Sequence, residues 1–294
     1  MSGTIFHEGE LYVQRITGED LTAQRNCSMV QEVLNTGMEM YIKDISTFFV
    51  SSKDSSGNLW ASIISGKKAF LTISNHTNLI LDTNMLLSDP GDVFWKNITL
   101  DTNIGMLFID LQTRRRLRIN GKTTVAGNII NIAIEQCFPN CPKYIQRRQI
   151  LSSASNNAGL GESLIEWIKN ADTCFVASAS SKSEMDVSHR GGHSGFILFE
   201  SENVLIVPDY TGNSMFNTLG NFFVNPAAGM LFIDFSNGNT LQLSGTAELH
   251  LQNDENPFVD KATRYWKFYI SRKILKNSVP GFSANFIDFS PFNP

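Results

Sequence analysis

Along the chain, short runs that are apolar throughout or apolar at every second position are separated by clusters of Gly, Asn and Ser. Phe48–Ser51, Trp60–Ile64, Ala69–Ile73, Leu79–Leu81, Gly105–Leu111 and Leu117–Val125 read as β-strands, with Ser55-Ser56-Gly57-Asn58 turning the first pair. Phe196–Phe199, Val204–Val207, Gly229–Phe235 and Thr240–His250 read the same way, and Gly238-Asn239 marks a tight hairpin between the last two. Three stretches have helical spacing instead. Leu160, Leu164, Trp167 and Ile168 fall on one face. So do Val30, Val33, Leu34 and Met38, with Gly37 breaking the pattern. Met215, Phe216, Leu219, Phe222 and Phe223 predict a third helix just before Gly229.

The pattern repeats. Thr47-Phe48-Phe49-Val50 recurs as Thr173-Cys174-Phe175-Val176, and the register holds through Ser62 against Ser188, Gly66 against Gly192 and Phe70 against Phe196. Gly105 to Asp110 recurs letter for letter as Gly229 to Asp234. Beyond it, Leu117-Arg118-Ile119-Asn120-Gly121 faces Leu241-Gln242-Leu243-Ser244-Gly245. A repeat in register over several blocks decides the architecture. The expectation is a mainly β protein of two small antiparallel barrels with added helices, since closing each sheet removes its edges. The halves are 1–150 and 151–294, joined by a linker from Phe138 to Glu162 that is richest in Ser, Asn and Gly at Ser152–Gly161.

Composition narrows the class. The 294 residues are 42% hydrophobic and 18% charged, enough for a packed core and too little charge for a disordered polymer. A net charge of −4 argues against a chain-wide grip on nucleic acid or an anionic membrane. The start lacks a basic region followed by an apolar run, and no stretch reaches the length of a spanning helix, so a soluble, cytoplasmic protein is expected. In that setting the sequons beginning at Asn26, Asn75 and Asn97 are chance, and four cysteines make no disulfide framework.

Polar chemistry concentrates in a few blocks. Asp186 to Gly195 holds Ser188, His189, Arg190, Gly191 and Gly192: a guanidinium fork, a hydroxyl and glycines that let backbone N–H groups approach an anion. The first copy has Ile63 and Ile64 where the second has His189 and Arg190. The bland alternative is a glycine-rich hairpin with surface charges. Asn213, Asn217 and Asn221 recur at helical spacing opposite the Met/Phe stripe, beside Thr218, and suit ribityl or phosphate oxygens; capping and a solvated face are the alternative. Strand alternation puts Arg116, Arg118 and Asn120 on one face, fit for a phosphate or an anionic ring unless they form a solvated hairpin. Arg264 to Lys273 reads as a terminal strand with snorkelling lysines rather than a base-stacking surface. Cys137 to Pro142 reads as a turn, without the second ligand pair of a zinc site; a redox role for its two thiols is a minor option. No hydrolase elbow, P-loop, zinc-protease or dinucleotide fingerprint is present.

Taken together, Phe6-His7-Glu8-Gly9-Glu10, Arg114 to Gly121, Glu135 to Gln146, Asp186 to Gly192, Gly212 to Asn221 and Gly229 to Asp234 resemble a known family. It is that of the predicted flavin-nucleotide-binding proteins related to pyridoxamine 5′-phosphate oxidase, in the FMN-binding split-barrel superfamily. The resemblance implies two tandem split barrels acting as a pseudo-dimer, with FMN between them. It implies Ser188 and Arg190 on the phosphate, Gly191 and Gly192 beside it, Asn213, Asn217 and Thr218 on the ribityl chain or the phosphate, and His189 and Asn221 among the cofactor-binding residues. Arg116 or Arg118 would stabilise negative charge on the flavin. His189 or His193 would move a proton where one is needed. Of the family's cationic phosphate contacts only Arg190 has a match, and Gly212 to Asn221 contains no lysine. The implied activity is an oxidoreductase working through flavin N5, with a small-molecule substrate or NAD(P)H as donor, as a monomer or homodimer. Alternatives are a non-enzymatic flavin or haem carrier, and an interaction protein that has lost its site.

Overall fold

The computed structural model describes residues 4–87, 89–98, 102–151, 163–252, 257–258, 262–276 and 282–294. The first sheet is built from β1 (Thr47–Lys53), β2 (Leu59–Ser65), β3 (Leu71–Asn75), β4 (Asn78–Asp82), β5 (Thr102–Asp110), β6 (Arg115–Ala126) and β7 (Ile129–Pro139). It runs in the order β2-β1-β5-β6-β7-β4-β3, every pair antiparallel. After β8 (Arg147–Leu151), the second sheet uses β9 (Thr173–Ala179), β10 (Met185–Gly191), β11 (Leu198–Ser201), β12 (Val204–Asp209), β13 (Ala227–Ile233), β14 (Thr240–His250) and β15 (Arg264–Lys276). Its order, β10-β9-β13-β14-β15-β12-β11, repeats the first strand for strand. The architecture is mainly β, two tandem split barrels.

The helices are α1 (Glu8–Thr17), α2 (Asp20–Asn26), α3 (Thr36–Lys43), α4 (Val93–Asn97), α5 (Leu164–Asn170) and α6 (Asn217–Val224). Each barrel has its own core: Phe48, Val50, Ile64, Met106, Phe108 and Ile119 in the first, Val176, Val207, Met230, Phe232, Leu243 and Trp266 in the second. A third apolar cluster lies between them and draws Phe49, Ile63 and Leu107 from one half and Phe175, Val187 and Leu231 from the other. This explains why β1 and β9 read as unbroken apolar runs: one face fills a barrel and the other meets the second barrel.

The two halves meet about a pseudo-twofold axis. Phe49 and Phe175, equivalent in the repeat, stack with ring centroids 3.4 Å apart. A Cβ on Gly105 would stand 2.6 Å from the Met185 carbonyl oxygen; one on Gly229 would stand 2.6 Å from that of Leu59. Since the repeat equates Leu59 with Met185, these are the same contact made twice. The shared hexapeptide is therefore an interface element, whose glycine lets two backbones touch.

Several expectations change. In the first half the helix starts only at Thr36, with Asn35 as its cap and Gly37 inside it; Val30 and Val33 precede it, next to the bridge that pairs Gln31 with Cys137. In the second half α5 contains Leu164, Trp167 and Ile168, while Leu160 and the stretch Ser152–Gly161 lie outside the described residues. The supposed linker holds real structure: Cys137 and Phe138 are buried at the end of β7, and β8 pairs with β16 (Ser283–Asp288) in a separate ribbon. The boundary at residue 150 thus falls inside a strand. Helix α1, at the start of the chain, packs on α6 of the second half, and its Val13 belongs to that half's core. Gly9 and Gly220 make this possible, because a Cβ on Gly9 would stand 2.1 Å from the Gly220 carbonyl oxygen. No helix among the described residues is long and apolar enough to cross a membrane.

Candidate functional site

Strand β10 differs from its counterpart β2 by carrying polar residues through the interface. Asp186, Ser188 and His189 are all buried. Across from them β6 alternates as its sequence requires, sending Leu117 and Ile119 into the first core and Arg116, Arg118 and Asn120 toward the second barrel. Between the strands and the start of α6 lies a recess of about 90 Å³, lined by Arg116, Arg118, Ser188, His189, Arg190 and Thr218 among others.

The recess is rich in cations. Arg118 donates from Nη1 to Asp186 Oδ1 (3.1 Å) and Asn217 Oδ1 (3.0 Å), and from Nη2 to the Ser188 hydroxyl. Arg190 Nη1 sits 3.1 Å from Asp209 Oδ1, while Arg264 holds the other oxygen of Asp209 at 2.8 Å and Glu19 at 2.8 Å. Among the described residues the Arg116 guanidinium donates only to the Cys141 carbonyl, and no carboxylate pairs with it. Burial, with Arg118 and Arg190 close by, lowers its guanidinium to about 10. His189 is 4% exposed; burial first, then Arg116, Arg190 and Arg148, push its pKa well below the usual 6.5, so the ring is neutral.

The most telling feature is what these groups lack. Arg118 Nε, Arg190 Nε, both ring nitrogens of His189, Asn140 Nδ2 and Asn120 Oδ1 are buried with no hydrogen-bond partner. Buried polar atoms are nearly always paired, so the five orphans that line the recess among the described residues mark a place suited to another molecule, and the sixth, Asn120 Oδ1, lines the neighbouring cleft.

On the far side of Arg118 the polar groups close a ring. Asn217 receives from Arg118 and donates to Glu10 Oε1 (2.5 Å). Glu10 Oε2 accepts the His7 amide (2.9 Å), and the His7 ring meets Asn221 Oδ1 (2.9 Å). Asn221 donates to Asp186 Oδ2 (3.0 Å), and Asp186 returns to Arg118. Burial raises the Glu10 carboxyl to about 8; Asp186 adds to the rise, and the His7 amide, Asn217 and Arg118 oppose it. This ring floors a second cavity, a cleft of about 770 Å³ that shares Asn217 with the recess.

The structure gathers most of the sequence-derived candidates. Arg116, Arg118, Ser188, His189, Arg190, Asn213, Asn217 and Thr218 line the recess, and Asn221 lines the cleft. Asn213, however, is not on the helix: α6 begins at Asn217, after Phe216 in a left-handed conformation, and Asn213 caps the preceding loop through Met215 N. The glycines have a different reason from the expected one. A Cβ on Gly191 would stand 2.2 Å from the Tyr144 carbonyl oxygen, and one on Gly192 would stand 2.6 Å from Phe196; the Gly192 amide is bonded to Asp172 O. The space a side chain would take at each is filled by protein. His193 packs edge-on against Phe289 and lines neither cavity. Glu10, His7, Asp209 and Arg264 were missed as site residues. His7 and Glu10 form the capping box of α1, legible as a helix start but not as a partner of a helix two hundred residues away.

The repeat creates a mate of this site in the first half, and it is closed. Gln242 takes the place of Arg118 and donates to Ser62 Oγ (2.8 Å); Ser62 bonds Asp92 (2.6 Å). Asn97 bonds Ser52 as Asn221 bonds Ser178. Ile63 and Ile64 are sealed in apolar clusters where His189 and Arg190 stand in the second half. Among the described residues, the mate lacks the arginines that line the recess.

No protein-family model and no curated protein matches the chain. Solved structures do. HupZ from Group A Streptococcus is 16% identical over 41% of this chain and 94% of its own, with a TM-score of 0.32. A pyridoxamine 5′-phosphate oxidase candidate from Lactobacillus delbrueckii is 14% identical over 43% and 98%, with a TM-score of 0.33. HutZ, the heme storage protein from Vibrio cholerae, is 12% identical over 41% and 94%, with a TM-score of 0.29. At such scores, function has to be read from this chain's own geometry.

Proposed function

We propose that the chain is an FMN-binding flavoprotein of the pyridoxamine 5′-phosphate oxidase type, an oxidoreductase with one cofactor site between its two barrels. The observation that carries this reading is the set of orphaned, buried polar atoms around the recess, two of them on guanidinium groups. They fit a phosphate monoester: two free guanidinium N–H groups, a neutral imidazole that offers one N–H, and the Ser188 and Thr218 hydroxyls. Asn217, common to recess and cleft, suits a hydroxylated chain leading from one to the other. The cleft has room for a flat ring and a second molecule.

The flavin would supply the hydride or electron transfer; the chain's part is binding and electrostatics. Arg118, fixed by Asp186, Asn217 and Ser188, presents a positive charge that favours the reduced, anionic ring. Asp186 holds that guanidinium in place rather than neutralising the recess, because Arg116 and Arg190 remain. His189, neutral, can donate one hydrogen bond without adding charge.

Adding FMN to the purified chain tests the reading. Quenching of FMN fluorescence with a shifted absorption band is expected, followed by bleaching on NADH, NADPH or another reductant. No binding refutes the cofactor, and binding without reduction by any donor tried refutes the oxidoreductase.

A further inference from the structure

The two cavities have opposite chemistry. The recess is cationic, but the cleft is lined by Glu10, Glu32, Glu135, Glu184 and Asp186 against Lys122 and Lys182. Lys122 is occupied by Glu135 (2.7 Å), and Asp186 by Arg118. Glu10 is different: it is 4% exposed, receives only the neutral donors Asn217 and His7 N–H, and has no cation hydrogen-bonded to it. In the same cleft Asn120, 8% exposed, donates to Asp186 while its own Oδ1 has no partner among the described residues. A carboxyl whose nearby basic groups, the His7 ring at 3.6 Å and Arg118, do not hydrogen-bond it, and an acceptor without a donor, line one cleft. What satisfies both is a positively charged N–H donor.

We propose that the floor formed by Glu10 and Asn120 is a subsite for a protonated amine, so that the cleft accepts a cationic amine ligand and rejects phosphorylated or carboxylated ones. This rests on the flavin reading only in taking the amine as the second ligand of that site. The groups facing Glu10 are His7 on its own helix, Asp186 on β10 and Arg118 on β6; the rim carries Glu32, Glu135, Glu184, Lys122 and Lys182. With the subsite empty, burial keeps the Glu10 carboxyl protonated below about pH 8. An ammonium bound there stabilises the carboxylate, so binding expels up to one proton near neutral pH. Affinity rises with pH toward 8, by at most about tenfold per unit, and then levels off.

The test is calorimetric titration of the full chain with benzylamine, in HEPES and in Tris, with benzyl alcohol and benzoate as probes of the same shape. Benzylamine is expected to bind at least tenfold more tightly than either, to release a proton at pH 7, and to bind more strongly at pH 8 than at pH 6. Glu10→Gln should remove the proton release and the pH dependence. Equal binding of benzyl alcohol, or absence of proton release from the wild-type chain, overturns the proposal without reliance on any variant. FMN titrated into the same preparation separates the two readings. Amine binding without FMN binding sinks the flavin and leaves the subsite, and FMN binding without amine binding does the reverse.

Discussion

Replacing Glu10 by Gln probes the buried ring through its effect on stability. In the unfolded chain a Glu loses its proton near pH 4.3, whereas in the folded chain Glu10 keeps it to about pH 8. Between those values the native state binds a proton that the unfolded state does not, so wild-type stability falls as pH rises through the window and is level above it. From the ordinary value of 4.5 to about 8, at roughly 1.4 kcal/mol per unit, the loss is at most ~5 kcal/mol. Gln keeps one acceptor but puts an N–H₂ against either Asn217 or the His7 amide, which costs about 1 kcal/mol. The two proteins should therefore lie within about 1 kcal/mol of each other at pH 5. At pH 9 the variant should be the more stable by up to ~4 kcal/mol. Urea denaturation at pH 5, 7 and 9, compared at equal slope, measures this. A difference that stays constant with pH, or that favours the wild type more as pH rises, would show the reasoning wrong.

Gly229→Ala should destabilise the chain by about 1–3 kcal/mol in thermal unfolding, because its Cβ meets the backbone of Leu59. Gly212→Ala, whose nearest neighbour is 4.0 Å away, should be close to neutral, and equal effects would contradict the pseudo-twofold contact. Arg190→Ala should weaken FMN binding about ten- to hundredfold, as one charge-assisted bond is lost while Asp209 keeps Arg264; an unchanged affinity removes Arg190 from the site. His189, neutral in the fold, gains its proton only on unfolding, so stability should fall as pH drops below about 6.5. His189→Gln should show less of that fall, and an imidazole resonance of His189 that titrates near pH 6.5 would contradict its burial.

Legibility followed locality. Alternation placed Arg116 and Arg118 on one face of β6 before any coordinate was needed, because a strand's period is fixed by its backbone. The repeat gave the two-barrel plan, and His189 and Arg190 in place of Ile63 and Ile64 marked which half adds polar groups of its own to the recess. What stayed hidden depends on docking across the chain. Nothing in the periodicity of α1 says that it leaves the first half and lays Glu10 against Asn217. Asn213, in step with Asn217 and Asn221 by spacing, falls off the helix because the chain turns at Phe216. Gly191 and Gly192 had the composition of an anion loop, yet their space belongs to Tyr144 and Phe196, which no local pattern encodes.

The central claim is a single flavin site built jointly by two unequal barrels. FMN titrated into the full chain, followed by fluorescence quenching, tests it through stoichiometry. One FMN per chain, with a loss of affinity of about tenfold or more both on Arg118→Ala from the first barrel and on Arg190→Ala from the second, is the predicted result. No saturable binding, two equivalents per chain, or loss with only one of the two variants would contradict it.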